Sequence, residues 1–108
     1  MTSSSLPAAQ ALALRDLVTP TAHGIASRVL AKAPGGNVTL FSFDAGQGLT
    51  EHTSSYEALV LVLEGHLDLT VDGASIAAPA GAIVRLPADV PHALDAPVAT
   101  RMLLVMVK

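Results

Sequence analysis

Gly46-Gln47-Gly48-Leu49-Thr50-Glu51-His52 and Gly81-Ala82-Ile83-Val84-Arg85-Leu86-Pro87-Ala88-Asp89-Val90-Pro91-His92 are the two stretches that decide how this 108-residue chain is read. Each opens on a glycine suited to a turn, passes through a short segment of strand character and ends on a histidine. The first continues through Tyr56-Glu57-Ala58 to Leu63-Glu64-Gly65, so a second glycine punctuates its far end.

Outward from these stretches the chain reads as short strands separated by turns. Residues 25–31 form one run, Pro34-Gly35-Gly36-Asn37 a turn, and residues 38–43 a strand. On that strand Val38, Leu40 and Ser42 share one face, and Thr39, Phe41 and Phe43 the other. Residues 59–63 are continuously apolar, the pattern of a strand covered on both faces. Leu67, Leu69 and Val71 alternate with Asp68, Thr70 and Asp72, which reads as a half-buried strand. Asp72-Gly73 is the strongest hairpin signal, because both residues tolerate the positive φ of a two-residue turn. Residues 75–78 return from it, Pro79-Ala80-Gly81 turns again, and residues 83–86, 90–94 and 100–107 give three more strands, with Met102, Leu104 and Met106 on one face of the last. So many short strands at this spacing imply an antiparallel sandwich or barrel. Before them, residues 2–5 are a polar tail, and residues 7–18 mix helical and strand spacings. The latter are expected to form a short helical turn or an arm lying on the body, closed by Pro20. The expected organisation is a tail and arm over residues 1–20 and a single barrel domain over residues 21–108.

Composition narrows the function classes. Just over half of the residues (51%) are apolar and 14% are charged, ample for a core and unlike a disordered segment. A net charge of −3 and three aromatic residues (Phe41, Phe43, Tyr56) supply neither the basic footprint nor the stacking platforms of a nucleic-acid binder. The absence of cysteine removes disulfides, thiolate catalysis and cysteine-bound zinc. No signal-peptide pattern or membrane-spanning apolar run is visible, so no membrane partner and a cytoplasmic location are expected.

The two quoted stretches resemble the paired motifs of the cupin superfamily, in particular its small single-domain, RmlC-like members. In the first motif Gly46, His52 and Gly65 match; Ser54 stands where the family has a second histidine and Ala58 where it has a glutamate. In the second, Gly81, Pro87 and His92 match, while Asp89 replaces a glycine and Ala96 an asparagine. The stretch around Arg101-Met102-Leu103-Leu104 is also similar to the closing strand of small cupins. The resemblance implies an all-β fold, a cupin-type antiparallel double-stranded β-helix (jelly-roll barrel) with a short N-terminal arm, and a degenerate metal-binding motif.

Metal sites of this family gather their donors at one barrel mouth, so the resemblance places His52 and His92 together there. Two imidazoles leave a divalent ion short of protein ligands, since even open catalytic zinc sites usually retain three. Such a site is weak unless carboxylates or substrate complete it. Strict strand alternation turns Glu51 and Glu57 away from the histidine side, and the neutral Ser54 hydroxyl is a poor ligand. Three readings stay open. The histidines hold a divalent transition metal (Fe, Mn, Ni or Zn), they line a cavity that binds a small molecule directly or by proton transfer, or they are hydrogen-bonded remnants in a sensor or structural module. The ligand-binding candidates are His52, His92, Ser54 and Tyr56, the metal candidates His52 and His92, and the catalytic residues are unknown. The leading expectation is a cupin binding a small molecule in its cavity. The alternative is a metal-dependent enzyme of the dioxygenase or isomerase type. The apolar strands at 59–63 and 102–107 lead us to expect a homodimer packed through an outer sheet face.

Overall fold

In the computed structural model, which describes residues 6–108, turns divide the chain into nine strands. These are β1 (Ile25–Ala33), β2 (Gly36–Phe43), β3 (Gly48–His52), β4 (Glu57–Glu64), β5 (His66–Val71), β6 (Ala74–Pro79), β7 (Ile83–Leu86), β8 (His92–Asp95) and β9 (Thr100–Val107). The polar tail expected at residues 2–5 lies outside the described residues. Asp72 and Gly73 take φ angles of 50° and 81°, and Val71 pairs directly with Ala74. This is the two-residue β5–β6 hairpin that the Asp-Gly pair encodes.

The strands form two antiparallel sheets, a five-stranded one in the order β1-β2-β9-β4-β7 and a four-stranded one in the order β3-β8-β5-β6. Sequence neighbours are repeatedly placed in different sheets, which gives the jelly-roll arrangement. The inner faces meet in one apolar core. Val60 and Val62 of β4, Leu67 and Leu69 of β5 and Met102 of β9 are each at most 2% exposed within it. Phe41 and Phe43 stack with ring centroids 5.7 Å apart on the core side of β2. The chain crosses from β4 in one sheet to β5 in the other at Gly65, whose φ is +84°. An added Cβ there would collide with the Ala99 carbonyl and with Thr100. Glycine is therefore required twice over, by the left-handed backbone and by the close approach.

Strand β4 departs from the sequence expectation. Ala58, Val60 and Val62 are buried, whereas Leu59, Leu61 and Leu63 on the outer face are only half-buried. Their neighbours on that face, Leu103 and Val105 of β9 and the exposed Ile83 of β7, are apolar as well. A continuous apolar run thus reflects one inner face and one outer face that is partly covered. Part of the cover is the N-terminal segment, which contains a 3-10 turn (Leu14–Asp16). Arg101 Nη1 donates to the Arg15 and Val18 carbonyls (2.9 and 3.3 Å), Arg28 Nη1 donates to the Leu17 carbonyl (3.3 Å), and Leu6 N donates to the Leu30 carbonyl (2.9 Å). Leu30 sits at an irregularity in the edge strand β1, where the pairing with β2 shifts register. Its carbonyl is taken up by the arm.

Replacing Gly65 by Ala should destabilise the fold by about 2–4 kcal/mol, combining a left-handed backbone with overpacking. At Gly73, φ is +81° with no atom within 4 Å of an added Cβ, so alanine there should cost only about 1–2 kcal/mol. Urea unfolding of both variants checks the difference; equal losses would contradict the close approach at Gly65.

Candidate functional site

The site follows from the register of two strands. Strand β3 pairs with β8 through Gly48 opposite Asp95, Leu49 opposite Leu94 and, after a register shift, His52 directly opposite His92. Residues directly opposite in an antiparallel pair project to the same side, so the last residue of β3 and the first of β8 meet. The rings lie edge to face, with centroids 4.4 Å apart and planes 69° from parallel. The two Nε2 atoms approach to 3.1 Å. His92 is 7% exposed and His52 is open to solvent.

The hydrogen bonds of the other ring nitrogens determine what the pair can hold. His52 Nδ1 is 2.7 Å from the Thr50 carbonyl, and His92 Nδ1 is 3.1 Å from the Val90 carbonyl. In both cases the partner is the backbone two residues earlier. A carbonyl only accepts, so each Nδ1 carries the proton and donates it. A neutral imidazole protonated on Nδ1 has a bare lone pair on Nε2. Two such rings would present two lone pairs to each other at 3.1 Å. That arrangement is repulsive until a cation enters it, either a proton shared between the nitrogens or a metal ion bound to both. Nδ1–H to carbonyl with Nε2 free is also how second-shell contacts prepare a histidine for a metal.

Of the four expected ligand-binding residues, the structure brings together His52 and His92. Because β3 ends at His52, Ser54 and Tyr56 fall in the 53–56 connection rather than on a strand face beside the pair. The Ser54 hydroxyl accepts from Tyr56 N (3.1 Å), a local turn bond, and the Ser54 carbonyl accepts from Asp89 N (2.7 Å). Ala58 is 4% exposed within the core. Among the described residues, no group of three or more His, Asp or Glu side chains is placed to hold an ion. Away from the pair, His66 Nε2 lies 2.9 Å from Asp68 Oδ1, and His23 N donates to Asp44 Oδ2 (2.6 Å). A cavity of about 440 Å³ opens at the barrel end remote from the pair, between Thr21, Asp44, Glu64, Thr100 and Arg101.

Sequence reasoning did not find the role of Glu57. Its side chain points away from the core, as alternation requires, and accepts from Arg85 Nε (2.7 Å) and from Ala88 N (2.6 Å). The partners lie 28 and 31 residues away, visible only once β4 and β7 are in register. The Ala88 N–H, followed by the Arg85 guanidinium, holds the Glu57 carboxyl below its usual range.

A comparison with protein families matches residues 39–108 to the Cupin domain family. No curated protein sequence matches the chain. Among solved structures, a conserved protein of unknown function from Streptococcus pyogenes is 35% identical and superposes with a TM-score of 0.90, covering 96% of this chain and 91% of that one. A cupin superfamily protein from Desulfitobacterium hafniense is 26% identical with a TM-score of 0.88, covering 95% and 94% of the respective chains. Salicylate 1,2-dioxygenase from Pseudoaminobacter salicylatoxidans shares the fold at 16% identity and a TM-score of 0.73, over 78% of this chain and 25% of its own.

The lowered Glu57 carboxyl has a defined pH signature. A carboxylate whose value is depressed on folding stabilises the native state above its unfolded value and loses that contribution as pH falls through the folded one. The stability difference between wild type and Glu57→Gln should therefore be constant from about pH 5 to 8 and shrink below about pH 4, past the usual glutamate range. Denaturant unfolding across pH measures it, and a difference that grows on acidification would contradict the assignment.

Proposed function

The chain belongs to the cupin family, and from that membership we propose that it binds a small molecule carrying oxygen donors at the His52–His92 pair. The observation that carries this reading is the convergence of two Nε2 lone pairs at 3.1 Å with both Nδ1 atoms committed to carbonyls. The pair needs a cation, and a pair holding a cation attracts a carboxylate, enolate or hydroxyl oxygen. Ligand access is from the His52 side, because His52 is exposed and His92 is buried behind it.

A divalent transition metal fits the donor set in kind. Imidazole nitrogens suit iron, nickel and zinc. His52 and His92 would hold the ion through Nε2, with Thr50 and Val90 orienting the rings from behind. When bound, the ion would supply Lewis acidity toward an oxygen of the ligand. The fit in number is poor. The core residue Ala58 occupies the place of the family's glutamate, and the Ser54 hydroxyl is engaged by the backbone. Two protein donors favour loose metal binding completed by water or ligand over a resident catalytic centre. The small-molecule reading therefore leads over the metal-dependent enzyme.

Elemental analysis of the untagged protein, supplemented in turn with Fe, Mn, Ni and Zn, tests the proposal together with His52→Ala and His92→Ala. The expected result is substoichiometric metal after dialysis and none in either variant. Full retention of one metal by the wild type would favour the enzyme reading. A ligand screen by thermal shift should then give hits whose stabilisation is lost in both histidine variants, since a ligand selective for the folded state raises its stability. Hits unaffected by both variants would place the binding site elsewhere.

A further inference from the structure

The loop of residues 87–91 supplies the Val90 carbonyl that orients His92, and its own position is set by bonds to three other segments. Asp89 N donates to the Ser54 carbonyl (2.7 Å), Asp72 N donates to the Pro91 carbonyl (2.9 Å), and Ala88 N donates to Glu57 Oε2 (2.6 Å). Within the loop Asp89 adopts a φ of +64°, a left-handed reversal in a residue with a Cβ. Aspartate visits this region readily, so the loop's position rests on the three bonds rather than on strain at Asp89.

Only the Glu57 anchor ends on a charged side chain. The β4–β7 pairing finishes at Ala58 opposite Leu86. Glu57, one residue earlier on β4, extends its carboxylate past the last rung and takes the N–H of Ala88, two residues beyond Leu86. Its other oxygen is fixed by Arg85, with Nε and Nη2 each at 2.7 Å. Both carboxylate oxygens are therefore occupied, and the group cannot rotate away without releasing the loop.

We propose that Glu57 is a positioning residue for the imidazole pair. By holding Ala88 N it fixes the 87–91 loop, hence the Val90 carbonyl, hence the tautomer and orientation of His92 and the Nε2 to Nε2 spacing. The Asp89 to Ser54 bond carries the same constraint to the segment that leaves His52. A role in overall stability is a weak rival. The Glu57 and Arg85 side chains are 44% and 65% exposed, and exposed ion pairs contribute little to stability. Glu64 provides the control. It is exposed to a similar degree (47%) and pairs with Arg15 and Arg101 at 3.7 and 3.9 Å, at the end of β4 remote from the histidines. The metal-affinity part of the test rests on the proposed cation site, whereas the spectroscopic part does not.

The test compares full-length wild type, Glu57→Ala, Glu57→Asp, Glu57→Gln and Glu64→Ala, each 15N-labelled and metal-free, followed by titration with Co2+. In Glu57→Ala, which removes the acceptor of Ala88 N, the ring 15N signals of His52 and His92 should move, and Co2+ affinity should fall about 10-fold or more, the usual effect of removing an outer-shell partner. Glu57→Gln keeps an oxygen that can accept from Ala88 N and should give the same changes at smaller size. Glu64→Ala should give neither, at a comparable melting temperature. Unmoved ring signals in Glu57→Ala overturn the proposal, as do equal changes in Glu64→Ala. If Glu57→Ala does not fold, Glu57→Asp, one methylene shorter and unable to reach Ala88 N, decides, with moved ring signals supporting the proposal and unmoved ones overturning it. If Co2+ binds none of the proteins while the rings move in Glu57→Ala and not in Glu64→Ala, the positioning role stands and the metal part of the proposed function falls.

Discussion

The constraint on which the site depends is the commitment of two Nδ1–H groups to two backbone carbonyls. With His52 tied to Thr50 and His92 to Val90, neither ring can turn its free nitrogen anywhere but toward the other. Everything upstream serves this. The register of β3 on β8 brings the residues opposite each other. The apolar core keeps the sheets in place beneath them. The burial of His92 makes an unmatched lone pair expensive, because a polar atom removed from water must find a partner. Held in this way, the two Nε2 atoms face each other at 3.1 Å.

The shape of the two motifs and the donors they carry rest on different residues. Gly46, Gly65 and Gly81 carry positive φ and serve the turns of the fold. Ala58, in the place of a donor, is absorbed by the core, where a small apolar residue packs without leaving a buried charge. The geometry of the two histidines is supplied by the Thr50 and Val90 carbonyls and uses no side-chain atom of Ser54 or Ala58. Fold and site chemistry are thus separable in this chain, as they are across folds that host many functions.

Much of this was legible in the residues. The Asp72-Gly73 hairpin and the closing strand β9 follow from local turn chemistry and period-two patterning, and the structure has both. The meeting of His52 and His92 followed from the motif resemblance. Three features were not legible, each for a physical reason. Ser54, a ligand-binding candidate in the sequence, lies in the 53–56 connection because β3 ends at His52, and the register shift that precedes this end has no local signature. The half-exposed outer face of residues 59–63 depends on where the N-terminal segment lies, a tertiary matter. Glu57 could be turned away from the core by alternation, but its hold on Ala88 links residues 31 apart.

In this arrangement both imidazoles are protonated on Nδ1 and direct Nε2 at each other. Long-range 1H–15N correlation spectra of the metal-free wild type at neutral pH report ring tautomers directly. His52 and His92 should both show a protonated Nδ1, as their 2.7 and 3.1 Å approaches to the Thr50 and Val90 carbonyls require. A neutral Nε2–H tautomer at either histidine, with its Nδ1 accepting, would contradict it.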